Sequence, residues 1–79
     1  MLGRIVCSKA GSDKGSFLVV LRTENNRVFV ADGKRYKIAS PKAKNQKHLA
    51  FTSKVLNSTE FTTDKSLRKA LAIYRSNIK

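Results

Sequence analysis

Two short apolar runs, GRIVCS and SFLVVL, flank the polar, glycine-bracketed loop KAGSDKG. That layout constrains the chain more than any other feature. β-prone runs of this length, joined by residues that tolerate tight turns, specify an antiparallel hairpin. Ile5, Val6 and Cys7 are apolar in succession, which fits a strand covered on both faces. The first strand is therefore placed at residues 2–8 and the second at 17–23, the most β-prone segment of the chain.

Glu24-Asn25-Asn26 is a turn signal, because Asn accepts positive φ better than most residues with a side chain. A third strand follows at residues 27–31. Asp32-Gly33 is a hairpin cue, and residues 34–38 then alternate, with Tyr36 and Ile38 on one face and Arg35 and Lys37 on the other. Pro41 closes that segment. A fifth strand is expected at 48–52, with Leu49 and Phe51 as its inward pair. Phe17, Phe29 and Phe51 are all expected in the core. Five short strands with tight turns, and too few residues for two full sheets, imply a small closed or nearly closed barrel. The fold class is mainly β.

Residues 1–52 form this barrel, and the polar, irregular stretch 53–63 reads as a linker. The remainder, 64–79, reads as an amphipathic helix. Thr63 or Thr62 is placed to cap it, and Asp64 suits the positive end of its dipole. Leu67, Leu71, Tyr74 and Ile78 recur at helical spacing, with Ala70 beside them. Lys65, Arg68, Lys69 and Arg75 occupy the other faces, and Asp64 is placed to pair with Arg68 one turn on. The apolar stripe is expected to pack on the barrel.

A chain of 79 residues makes one small domain, with no room for a cavity walled on every side. Lys plus Arg number 17 against 5 Asp plus Glu, a formal charge of +12. The charge recurs from Arg4 to Lys79, interleaved with apolar residues, so it belongs to a folded surface and points to nucleic acid. Cys7 is the lone cysteine, which excludes an internal disulfide and suits a reducing compartment. Arg4 and Lys9 interrupt any signal-peptide core, and the longest apolar run, 17–21, is too short to cross a bilayer. A cytoplasmic monomer with no membrane partner is expected.

Two constellations carry chemistry. In KAGSDKG, Gly11 and Gly15 let backbone N–H groups approach a phosphate while Lys9 and Lys14 add charge. A plain hairpin loop with solvated lysines is the alternative reading. The loop is not a nucleotide-binding P-loop, because GxxxxGK[ST] is missing. The second set is Lys34, Arg35 and Lys37 with Lys42, Lys44, Asn45 and Lys47, a run that suits a sugar-phosphate backbone. Its alternative is a solvated, aggregation-resistant edge. His48 is a lone histidine, placed to stack or hydrogen-bond at the RNA edge or to cap the strand. A Cys7–His48 nucleophile pair is disfavoured, since Cys7 sits in an apolar run, and a metal site lacks ligands. Neither an enzyme nor a cofactor is expected. With its aromatics assigned to the core, the chain lacks a stacking platform and should read folded RNA by backbone and shape.

The run from Gly3 to Val28 resembles the KOW motif, with an apolar strand, a loop glycine at Gly11 and a second apolar strand. With VFVADGKRYKI and PKAKNQKHL following in order, the stretch is similar to short bacterial KOW proteins. Those in turn resemble the eukaryotic-type large-subunit ribosomal protein fourteen. The likeness covers roughly residues 3–52, and TDKSLRKALAIYR looks like the terminal helix of the bacterial members. It implies an SH3-like barrel that binds RNA, often ribosomal RNA, without cofactor or catalysis. By motif position it assigns Lys9, Gly11, Asp13, Lys14 and Gly15 to the first loop, and Asp32, Gly33, Lys34 and Arg35 to the next turn. Lys42, Lys44, Lys47 and His48 form the basic tail, and Arg4 belongs to the Gly-Arg start. Ser12 stands where many relatives carry arginine, which removes one phosphate contact.

The expected function is therefore a non-enzymatic protein that docks on structured, ribosomal RNA, as a ribosomal or ribosome-associated component. The rival is an SH3-like protein-interaction module of the transcription or translation machinery, binding ribosomal or transcription proteins.

Overall fold

The computed structural model describes residues 2–77. Five strands, β1 (Arg4–Ser8), β2 (Phe17–Glu24), β3 (Arg27–Ala31), β4 (Lys42–Asn45) and β5 (Leu49–Val55), form one antiparallel sheet in the order β4-β3-β2-β1-β5. A helix, α1 (Asp64–Asn77), follows, so the mainly β fold with a terminal helix is as expected. Residues 78 and 79, placed in that helix from the sequence, and with them Ile78 of the stripe, lie outside the described residues.

The sheet is open, yet topology forces it to curl. Laid flat, its outermost strands would stand about 19 Å apart at roughly 4.8 Å per neighbour. Those strands, β4 and β5, are joined only by the short 3₁₀ turn Gln46–His48, and three residues of 3₁₀ helix advance about 6 Å. The sheet must wrap towards itself, giving a half-open barrel with an unpaired seam between β4 and β5. Register shifts between Val20 and Arg22 on β2, and opposite Arg4 and Val6 on β5, help it bend.

Curling creates two cores. Val6, Leu18, Val20, Val28, Val30 and Leu49 fill the interior. Ile5, Val19 and Ala31, from the opposite face, are covered by Leu56, Leu67, Ala70 and Leu71. This explains the unalternating run in β1: Ile5 and Val6 point to opposite faces and both are fully buried. The helix stripe is thus consumed by the chain's own sheet, with Tyr74 packed edge-on against Phe17 at 5.2 Å. Thr63 caps α1 reciprocally with Ser66, its Oγ1 accepting the Ser66 N–H at 3.1 Å. The Asn25-Asn26 turn is also as read, with Asn25 at φ 55°.

Four expectations fail. Residues 34–38 are not a strand, and the fourth strand lies instead in the basic connector, at Lys42–Asn45. The cause is Asp32. Its Oδ1 accepts the N–H groups of both Lys34 and Tyr36 at 2.9 Å, while the Tyr36 carbonyl accepts those of Asp32 and Gly33 at 3.0 Å. The local alternation is spent on a compact loop. Phe29 and Phe51 are not core residues. Phe29 alternates with the interior Val28 and Val30, and it lies half-buried beneath the Arg22 guanidinium, 4.1 Å from the ring centre. Phe51 pairs with Val6 on the inner face but sits on edge strand β5, and it stays 36% exposed. The polar stretch 53–63 is not slack: it completes β5, adds the 3₁₀ turn Ser58–Phe61 and supplies Leu56 and Phe61 to the outer core. Asp64 does not pair with Arg68. Its Oδ1 accepts the Ile38 N–H at 2.8 Å, and Arg68 Nη1 donates to the Gly33 carbonyl at 2.8 Å.

Those last bonds clamp the 32–38 loop to the start of α1, and Gly33 makes the clamp possible. It is buried at φ +79°, and a Cβ there would collide with the Asp64 carbonyl. We expect Gly33→Ala to cost at least about 2 kcal/mol, from left-handed strain plus the clash. In thermal denaturation followed by circular dichroism this is a fall in Tm of roughly 10 °C for a domain of this size. An unchanged Tm would contradict the clamp.

Candidate nucleic-acid interface

Three segments far apart in sequence meet around one buried carboxylate: the β1–β2 loop (9–16), the 32–38 loop, and β4 with the turn after it (42–48). What joins them is Asp13. Its side chain is 3% exposed, and its carboxylate accepts hydrogen bonds from Ser8 Oγ at 2.7 Å, Lys44 Nζ at 2.9 Å and the Tyr36 hydroxyl at 2.8 Å. Lys44 Nζ also lies 3.3 Å from Ser8 Oγ and 3.5 Å from the Ala10 carbonyl. Lys9 N–H donates to the His48 carbonyl at 2.8 Å, tying the first loop to the turn after β4.

Burial pushes the Asp13 carboxyl up, but the hydrogen bonds from Ser8, Lys44 and Tyr36 and the charge of Lys44 outweigh it, holding the group at about 2 against an ordinary 3.8. Burial, followed by the bond to Asp13, raises the Tyr36 phenol above its usual value and keeps it a donor. Among the described residues no buried side-chain polar atom lacks a partner.

The rim formed this way carries eight cations and two carboxylates, Asp13 and Asp32. Both acids are committed inward, Asp13 to its network and Asp32 to the backbone of its loop. Lys9, Lys14, Lys34, Arg35, Lys37, Lys42 and Lys47 are exposed, as are Asn45 and His48. They lie on the segments joined at Asp13, with Asn45, paired with Arg27, and Lys47 lying towards the Asn25-Asn26 turn. Lys44 is different: with its side chain only 11% exposed, it faces the carboxylate and organises the rim from beneath. Arg4 lies at the far end of β1, about 13 Å of strand from Ser8, and Nη1 donates to the Thr52 carbonyl at 2.9 Å. It does not join the rim.

Gly11 and Gly15 adopt φ of 88° and 90°, the left-handed conformation the loop needs. The loop's backbone is less available to an anion than its glycines suggest. The N–H groups of Lys14, Gly15 and Ser16 donate to the carbonyls of Gly11, Ser8 and Asp13 at 3.2, 2.8 and 2.9 Å. The Asn45 Oδ1 is likewise occupied, accepting the Lys47 N–H at 3.1 Å. What the rim offers is side-chain charge. Phe29 and Phe51, though accessible, face opposite sides of the sheet and form no shared stacking surface. Two groups were missed from sequence. Asp13 carried no signal beyond its motif position, and the helix cations Arg68 and Arg75 border the rim because the Gly33 clamp docks α1 beside it.

The chain matches no protein-family model and no curated protein. No helix among the described residues is long and apolar enough to cross a membrane.

Removing one partner of a buried pair strands the other charge, at a cost of about 3 kcal/mol or more. Asp13→Asn should therefore lower stability by that amount in urea unfolding at pH 7, and adding Lys44→Met should restore part of the loss. A lowered carboxyl pKa means that this stabilisation is complete above 3.8 and is lost as pH falls towards about 2. The shift corresponds to roughly 2 kcal/mol. Asp13→Asn should flatten the acid limb of the stability curve in that window. Equal acid sensitivity in both proteins would show that Asp13 is not held as described.

Proposed function

We propose that this chain is a non-enzymatic RNA-binding protein that docks on structured RNA, ribosomal RNA in the first instance, through the basic rim. The observation that carries the reading is that the three segments joined at Asp13 expose seven cations while both of their carboxylates are turned to internal bonds. A surface that projects lysine and arginine without competing acids suits a phosphate backbone. The lack of a shared aromatic face favours recognition by backbone and shape. The ordered motif set that resembles KOW proteins supports the same partner. On this reading the protein acts as a cytoplasmic monomer without a cofactor, as a ribosomal or ribosome-associated component. The rival protein-docking role loses its main support, because the Leu67–Leu71–Tyr74 stripe is already covered by the sheet.

In filter binding to cellular RNA, log affinity should fall against log salt with a slope of about −0.7 to −0.9 per neutralised phosphate. Lys9→Glu with Lys14→Glu should weaken binding on the order of tenfold, about 1.4 kcal/mol. Lys65→Glu with Lys69→Glu, on the helix, should weaken it less. Salt-independent binding, or equal losses in the two pairs, would contradict a rim-centred interface.

A further inference from the structure

Beside the rim, between the 32–38 loop and α1, lies a cleft of about 670 Å³. Its size falls within the range of small-ligand sites. Lys34 and Arg35 stand on one wall and Arg68 and Arg75 on the other, with Phe17 and Ala72 as its apolar lining. Arg68 is fixed in place by its bond to the Gly33 carbonyl. Asp32 also borders the cleft, but its Oδ1 already accepts the Lys34 and Tyr36 N–H groups. Ser16, at the end of the β1–β2 loop, makes the cleft continuous with the rim.

We infer that this cleft receives an unpaired nucleotide of the bound RNA, an inference that rests on the RNA-binding reading above. The chemistry of the cleft separates this occupant from a simple anion and from a duplex. Arg68 and Arg75 are two turns apart, spreading charge over about 10 Å of helix, which suits a stretch of backbone rather than one ion. The apolar floor of Phe17 and Ala72 offers contact to a base, which a free phosphate would not use. A base reaches such a floor only when it has left the stack, as in a bulge or loop. The flanking phosphates then lie against the cationic walls. The cleft thereby adds to the rim a preference for irregular over perfectly paired RNA.

The test uses two RNA hairpins with the same stem, one carrying a three-nucleotide bulge. Fluorescence anisotropy should show the bulged hairpin bound about tenfold more tightly by the unaltered protein. Lys34→Glu with Arg75→Glu should abolish that preference, and Lys34→Ala with Arg75→Ala should reduce it. Neither side chain makes a hydrogen bond among the described residues, and circular dichroism should show both variants folded. Lys9→Glu with Lys14→Glu should weaken both hairpins alike and leave the preference intact. Equal affinity of the unaltered protein for the two hairpins, or a preference that survives both cleft variants, overturns the inference while leaving rim binding in place. Binding to neither hairpin overturns the RNA-binding reading and the cleft with it.

Discussion

The Asp13 carboxylate is the constraint on which the rest of this molecule's functional end depends. Without it, the β1–β2 loop, the 32–38 loop and β4 would be three basic segments that repel one another. With it, Ser8, Tyr36 and Lys44 are drawn to one acceptor, and a lysine that would add to the surface repulsion is neutralised inside. Buried ion pairs often add little net stability over an apolar substitute. Here the pair's value is positional: it fixes which cations face outward. A small domain with a +12 charge has little stability to spare, so fixing that distribution matters.

The terminal helix solves a second problem. A curled five-stranded sheet of this size buries only its inner face, leaving Ile5, Val19 and Ala31 uncovered. Leu67, Ala70 and Leu71 cover them. The same docking brings Arg68 to the Gly33 carbonyl and Asp64 to the Ile38 N–H, locking the two ends of the 32–38 loop. The loop is therefore held at both ends by the helix and in its middle, through Tyr36, by the Asp13 network. That is how a segment without strand pairing presents Lys34 and Arg35 in a fixed place.

Much of the fold was legible because it rests on local signals. The double burial of β1 was visible in Ile5-Val6, the β2–β3 turn in Asn25-Asn26 and the helix in its stripe and its Thr63 cap. The fourth strand was not, because alternation over 34–38 is a real pattern that Asp32 overrides with two side-chain-to-backbone bonds, a competition periodicity does not register. Most of the rim was legible as charge density. Lys44 could not be told from Lys42 or Lys47 by sequence, since only the approach of Asp13 across 31 positions separates it from them. Arg68 was read as the partner of Asp64, because its actual partner, the Gly33 carbonyl, is a backbone group with no sequence signature. Accessible Phe29 and Phe51 reflect strand position, which composition does not encode.

The central claim is that the rim's lysines divide into outward contacts and one inward anchor. Lysine acetylation read by mass spectrometry, with and without bound ribosomal RNA, tests it directly. Lys9, Lys14, Lys34, Lys37, Lys42 and Lys47 should react readily in the free protein and be protected by RNA. Lys65 and Lys69 should react in both states, and Lys44 should stay slow in both. Ready modification of Lys44 in the free protein, or RNA protection confined to the helix lysines, would contradict it.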